Sequence, residues 1–444
     1  MKNDNSSLRN LVVYEIYVRN HGPNGTFSDV TDDLGRIKSM GIDIIWLMPI
    51  HPIGVKQKKG TLGCPYSIKD YRKVNPEYGS LDDFQELVAS AHKIGLKVMI
   101  DVVFNHTSHD SVLVQKHPEY FHQDEHGQPI TTVPAWSDVI DLKQPNQDLQ
   151  KYLIESLCYW VEMGVDGFRC DVASIIPLNF WINAKAQTES LNPNLIWLAE
   201  SVETGWIIDR RRNCLTAHAD AELYQAFDIT YDYDIWSVWK SVVTGKLPTL
   251  RYLEMVEFQK GVYPSKAIKM RCVENHDNAR IMAYAQNETS AKAWTALEIF
   301  LPGAFLIYAG QESAATETPS LFDIDKIQWR ENSIQNWLSK LIQIKKSRIF
   351  IDGTHYFLSA EPIVQSIWTD KNYFLYGMFN VNDIDEPITC QMPDGLYPDL
   401  ISQKQYKVIN QTLDLKGLSM VIFEVSPKFS FKPMRFKLLQ HFDE

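Results

Sequence analysis

The sequence predicts an α/β fold: a (β/α)8 TIM barrel with a short excursion after strand three and a C-terminal antiparallel β domain. Apolar strand-like runs alternate with amphipathic helical runs from about residue 12 to residue 345, as repeated βαβ units do. One such run, 165–170, ends in Arg169-Cys170-Asp171. In a parallel barrel the C-terminal strand ends form the face where an active site sits. From about Gly353 the pattern changes to short alternating runs separated by turns, the signature of an antiparallel β domain.

Taken in order, residues 12–18 alternate apolar and aromatic side chains and read as the first strand. Residues 29–40 carry Val30, Leu34, Ile37 and Met40 at helical spacing, and Gly41 ends the helix. Residues 42–47 form a continuous apolar run, as expected of a strand covered on both faces. Residues 51–63 are polar and basic and read as a loop over the barrel mouth. Ser80 ahead of Asp82 and Asp83 marks a helix N-terminus, followed by the apolar face Phe84, Leu87, Val88 and Ala91. Residues 96–104 are the third strand.

Between 105 and 147 periodicity is lost over a stretch too long for an ordinary loop, which predicts a small excursion domain. A helix over 148–163 then returns the chain to the fourth strand. Strands five to eight are expected at 195–200, near 223–227, at 268–273 and at 305–308, before a closing helix over 333–345. The barrel thus reads as 1–104 plus 148–350, the excursion as 105–147, the β domain as 351–426 and a tail as 427–444.

Bulk composition excludes some functions. Lys and Arg total 44 against 55 Asp and Glu, and the net charge of −11 disfavours nucleic acid or an anionic membrane as partner. The first ten residues lack an apolar leader segment, and no apolar run is long enough to span a bilayer. The six cysteines show no CxxC spacing, so a zinc site is not expected and a reducing, cytoplasmic setting is. Oligomeric state is left open.

Four strand ends carry ionisable groups: Asp101–His106 on strand three, Gly167–Asp171 on four, Leu198–Ser201 on five and Val273–Asp277 on seven. A lone strand-end Asp is commonly a cap or a loop brace. Four such ends in order place Asp171, Glu200 and Asp277 around one barrel mouth, beside an arginine and two histidines. That set suits glycoside cleavage, in which one carboxylate attacks or stabilises the anomeric carbon and a second, kept protonated, protonates the leaving oxygen. Partial burial and neighbouring negative charge raise the acid's pKa.

In these four segments the chain resembles the α-amylase superfamily of glycoside hydrolases (family thirteen), whose ordered motifs are D-x-V-x-N-H, G-x-R-x-D, the Glu after strand five, and N-H-D. The similarity extends to 66–71, 75–79, Pro302-Gly303 and Gly310-Gln311-Glu312, so it covers about residues 10–425. It implies that Asp171 is a nucleophile forming a glycosyl-enzyme and that Glu200 is general acid, then base. It implies that Asp277 holds two sugar hydroxyls and that Arg169 orients Asp171. It implies that His106 and His276 bind the sugar at the cleavage subsite and that Tyr66 stacks on its ring. Asp101 and Asp70 read as braces. Asn105 is a calcium candidate by resemblance, but the excursion offers few carboxylates beyond Asp138 and Asp141, so no cofactor is required and no tightly held calcium is expected.

The substrate implied is an oligosaccharide or α-glucan, cleaved at α-1,4 bonds with retention and with α-1,6 bonds open as well. A transglycosylase or an oligo-1,6-glucosidase on the same scaffold is the alternative. One departure bears on this choice: many α-amylases have Lys-His shortly after the nucleophile, whereas this chain has Val172-Ala173-Ser174-Ile175.

Overall fold

Strands rich in valine, isoleucine and aromatic residues must hide both faces, and closing them into a barrel beneath a ring of helices does so. The computed structural model describes residues 5–330 and 334–436, and it contains one closed barrel of eight parallel strands. They are β1 (Val12–Ile16), β2 (Ile44–Leu47), β3 (Lys97–Val102), β4 (Gly167–Cys170), β5 (Ile196–Ala199), β6 (Ile229–Tyr231), β7 (Lys269–Arg271) and β8 (Ala304–Tyr308). Each pairs with its chain neighbours, and β1 closes on β8 through Val12↔Phe305 to Glu15↔Tyr308.

Local chemistry sets the helices. Thr26 and Ser80 each form a capping box, with Asp29 and Asp83, at the starts of Phe27–Ser39 and Leu81–Lys93. Both helices bury one apolar stripe: Val30, Leu34 and Ile37 in the first, Phe84, Leu87, Val88 and Ala91 in the second. At the entry to β4, a Cβ on Gly167 would lie 2.6 Å from the Ile196 carbonyl oxygen, so only glycine lets β5 approach there.

The sixth strand departs from expectation. Residues 223–227 do not form it: Asp220–Leu223 is a helical turn, Phe227 N–H donates to the Leu223 carbonyl at 2.9 Å, and the strand is Ile229–Tyr231. Leu223, Ala226 and Phe227 are all buried, and their spacing is that of a helix face rather than of a strand. The closing helix is Gln335–Lys345; its expected start at Ser333 lies outside the described residues.

The segment after β3 holds a two-stranded antiparallel ladder, His106–Ser108 with Val139–Asp141. The ladder ties Trp136, Asp138 and His106 to the barrel rim. The C-terminal part is a four-stranded antiparallel sheet of Thr354–Ser359, Val364–Thr369, Phe374–Phe379 and Met420–Val425, flanked by two-stranded ladders. Trp368 anchors it to the barrel, its Nε1–H donating to the Phe300 carbonyl at 2.7 Å. The described part of the tail packs on this sheet: Phe431 meets Tyr356 and Phe374, and Met434 N–H donates to the Phe357 carbonyl at 2.8 Å.

Candidate active site

The barrel register brings the polar strand ends together. Asp101↔Arg169 and Arg169↔Leu198 are paired positions on β3, β4 and β5. The Asp171 N–H donates to the Val102 carbonyl at 2.9 Å and the Glu200 N–H to the Cys170 carbonyl at 3.0 Å. Backbone pairing therefore continues up to both carboxylates and fixes where they leave the strands.

Arg169 is the hub. It is fully buried, with its guanidinium 5.1 Å above the Trp46 ring. Nη1 reaches Asp101 Oδ1 at 3.0 Å and Asp171 Oδ1 at 2.9 Å, and Nη2 lies 3.0 Å from Glu200 Oε2. One cation thus faces three carboxylates in a desolvated place. It cannot neutralise all of them, so ionising the last one is unfavourable.

The proton affinities follow this arrangement. Burial raises Glu200 to about 7, with Asp171 and Asp277 adding repulsion and Arg169 opposing. Burial raises Asp171 to about 6, with Arg169 pulling the other way. Asp101 is also pushed up to about 6 by burial, against Arg169 and His276.

A second chain of contacts crosses the mouth. Burial disfavours charge on His276, but Asp277 and Glu15 override it and raise the imidazole to about 9. As an imidazolium it donates from Nδ1 to Glu15 Oε1 at 2.5 Å and from Nε2 to the Tyr66 hydroxyl at 2.8 Å. The Tyr66 hydroxyl in turn donates to Asp101 Oδ2 at 2.9 Å, and the Tyr66 ring stacks on His276 with centroids 5.3 Å apart. Asp277 is the open member, its side chain 45 % exposed and its Oδ2 3.2 Å from His276 Nε2. Burial lowers His106 to about 4, so it faces the cavity as a neutral ring.

Tyr66, His106, Asp171, Glu200, His276 and Asp277 line a cavity of about 260 Å³ at the C-terminal ends of the strands, with Arg169, Asp101 and Glu15 buried behind them. Asp171 and Glu200 are 7 % and 8 % exposed there. The apolar and aromatic part of the lining is Trp136, Val172, Leu321 and Phe322. A cavity of similar size between the barrel floor and the C-terminal sheet is lined by Lys260, Arg271 and His355 and by no carboxylate, so it cannot perform the same chemistry.

The catalytic-domain model for α-amylases matches residues 3–349, and the model for the bacterial α-amylase C-terminal domain matches residues 358–422. The chain belongs to the α-amylase family of glycoside hydrolases. Within this family it is similar to a solved α-amylase from Lactobacillus plantarum, with 40% identity, TM-score 0.90 and coverage of 95% of this chain and 100% of that one. It is also similar to the maltogenic α-amylase AmyB of Thermotoga neapolitana, with 33% identity, TM-score 0.83 and coverage of 95% and 99%. Alpha-amylase 2 of Dictyoglomus thermophilum is 22% identical over 403 residues, 86% of this chain and 68% of its own length.

In this α-amylase-family barrel six of the seven residues read from the sequence as catalytic or substrate-binding line the cavity, Tyr66, His106, Asp171, Glu200, His276 and Asp277, and the seventh, Arg169, is buried behind Asp171 and Glu200. Asn105 does not join them. Its Nδ2 sits 3.2 Å from His106 Nδ1, and its carbonyl accepts the Leu142 N–H at 2.9 Å. Asp138 pairs with Lys59 at 2.9 Å, and Asp141 accepts from the Thr132 N–H at 2.7 Å. Calcium needs six to eight oxygen ligands. Among the described residues no group of three or more His, Cys, Asp or Glu side chains is placed to hold a metal ion.

Three features escape the motif reading. Glu15 on β1 is fully buried against His276; a carboxylate inside the apolar run Val12-Val13-Tyr14-Glu15-Ile16 is the signal that could have found it. Trp136 lies 5.3 Å from His106 and 6.0 Å from Trp206, and only the folded excursion brings these rings together. Val172 has a left-handed backbone, φ +37°, which nothing in its side chain announces.

Proposed function

We propose that the chain is a retaining α-glucoside hydrolase that cleaves α-1,4 bonds of maltodextrins and related short oligosaccharides by double displacement. The carrying observation is that Asp171 and Glu200 line one cavity and share the Arg169 guanidinium, with Glu200 raised to about 7 by burial. Protonated Glu200 gives its proton to the glycosidic oxygen as the C1–O bond breaks. Ionised Asp171 attacks C1 and forms the glycosyl-enzyme. Glu200, now a carboxylate, takes a proton from water, whose oxygen attacks C1 and releases Asp171. Asp277 and His106 hold hydroxyls of the sugar at the point of cleavage, His276 reaches it by sharing its Nε2–H with the Tyr66 hydroxyl, and Tyr66 offers it a ring face.

Retention requires the two carboxyl groups to lie roughly 5–5.5 Å apart. Proton NMR of maltotetraose hydrolysis should therefore show the α-anomer first, before mutarotation. A β-anomer formed first overturns double displacement.

The leaving-group side favours short chains. Ser174 is fully buried, with its Oγ accepting the Val202 N–H at 3.2 Å, and Ile175 packs into an apolar cluster with Val172, Val202 and Ile207. Neither offers a charged donor to the leaving sugar, and Val172, stiff at χ1, stands as an apolar wall. We expect kcat/KM to be higher on maltotetraose than on soluble starch at equal concentrations of chain ends, with some turnover of isomaltose-type oligomers. A starch preference with a rapid viscosity drop would restore an endo-acting amylase. Val172→Ala should change the α-1,4 to α-1,6 ratio; an unchanged ratio removes residue 172 as its determinant. The same wall supports the alternative, transfer to a sugar acceptor, which product analysis with added acceptor separates from hydrolysis.

Calcium is not part of the proposed mechanism. Activity and melting temperature should survive exhaustive chelation; a loss of either that added calcium restores would show an ion the sequence reading omits. We assign the protein to a reducing, cytoplasmic setting: all six cysteines are free thiols. Among the described residues no helix is long and apolar enough to cross a membrane.

A further inference from the structure

We infer that the backbone N–H of Val172, held in a left-handed conformation, fixes which oxygen of Glu200 carries the catalytic proton. The inference rests on Glu200 acting as the acid. Val172 follows Asp171 directly and has φ +37° and ψ +42°. That region is unfavourable for a β-branched side chain, so the surroundings must hold it there. They do so from two sides. The Val172 carbonyl accepts the Ile175 N–H at 3.0 Å at the start of a short helical turn, Ala173–Ile175. The side chain belongs to an apolar cluster with Ile175, Val202, Ile207 and Ala217.

The left-handed turn aims the Val172 N–H at Glu200 Oε2, 2.7 Å away. The same oxygen lies 3.0 Å from Arg169 Nη2. An oxygen that accepts a main-chain N–H and lies within ion-pair distance of a guanidinium is the acceptor edge of the carboxyl group, so the acid hydrogen resides on Oε1. Oε1 has no hydrogen-bond partner among the described residues, and Glu200 lines the cavity. The proton is thereby held on the edge that meets the glycosidic oxygen. After the proton leaves, the Val172 N–H and Arg169 stabilise the carboxylate. Val172 is thus a positioning residue that acts through its main chain.

The test replaces residue 172 with the α-hydroxy analogue of valine by nonsense suppression, which exchanges the N–H for an ester oxygen and keeps the side chain. The groups facing Glu200 are Arg169 and Asp171 from β4, Asp277 beyond β7, His106 from the excursion, and Tyr231 and Tyr233 at β6. The exchange alters none of them. The lost hydrogen bond stabilised the ionised form, so Glu200 should hold its proton to higher pH. The basic limb of kcat/KM should move up by about one pH unit. On maltotetraose, kcat should fall about tenfold with KM nearly constant.

Two comparisons keep the result specific. The equivalent ester at Ile175 removes a neighbouring structural hydrogen bond and should leave the basic limb in place. Val172→Gly keeps the N–H and adopts φ +37° without strain, so its limb should also stay. An unmoved limb in the residue-172 ester overturns the inference, as does an equal shift in the glycine variant, which can be measured even if the ester does not fold. If Glu200→Gln retains the basic limb, the reading of Glu200 as the acid fails instead, a distinguishable outcome.

Discussion

Asp171→Asn should abolish turnover of maltotetraose, with a loss of several orders of magnitude in kcat, the scale of losing covalent catalysis. The carboxylate is 7 % exposed, accepts from Arg169 Nη1 at 2.9 Å and sits at the cavity floor. Asparagine has the same shape, but its amide cannot attack C1 and carries no charge to offset the developing cation. Folding should survive. Removing one of the carboxylates on Arg169 leaves Asp101 at 3.0 Å and Glu200 at 3.0 Å, so the buried guanidinium keeps partners. A correctly folded variant that retains about a tenth of wild-type turnover rejects Asp171 as nucleophile.

Glu200→Gln should be nearly as damaging for natural substrates, costing about 10²–10⁴-fold, the usual contribution of general acid–base catalysis. The loss should depend on the leaving group. A maltosyl fluoride needs no proton donor, so its first step should be largely spared while its second, which needs Glu200 as base, becomes rate-limiting and lets glycosyl-enzyme accumulate.

The pH profile gives an independent reading. Wild-type activity requires Asp171 ionised, a state lost as pH falls through about 6, and Glu200 protonated, a state lost as pH rises through about 7. The two limbs belong to the interacting pair and should enclose a narrow optimum. In Glu200→Gln the basic limb should disappear and the acid limb should move down, because a neutral amide no longer repels the Asp171 charge. A basic limb that persists would assign it to another group.

The barrel was legible from the chain because its signals are local. Strand runs such as 44–47 and 304–308 are apolar throughout, the helices at 27–39 and 81–93 begin with capping boxes, and glycines mark the turns. The sixth strand was misplaced for a local reason as well: Leu223, Ala226 and Phe227 are apolar but helically spaced, while Ile229–Tyr231 is only three residues long and gains its strand character from the partners on either side.

The residues at the ends of β3, β4, β5 and β7 could likewise be named from their order, since barrel closure brings strand ends to one rim whatever the loops do. Order along the chain is enough to tell which side chains share that rim. Tertiary structure alone decided how they divide the work. The proton affinities of Asp171 and Glu200 depend on burial and on one guanidinium shared in space, the charge of His276 depends on its neighbour Asp277 together with Glu15 from the far end of the chain, and the aromatic wall exists only where the excursion folds onto Trp206. The left-handed turn at Val172 is the limiting case. Valine disfavours that conformation, so no local propensity could forecast it, and it persists because the packing around residues 173–217 and the carboxylate of Glu200 hold it in place.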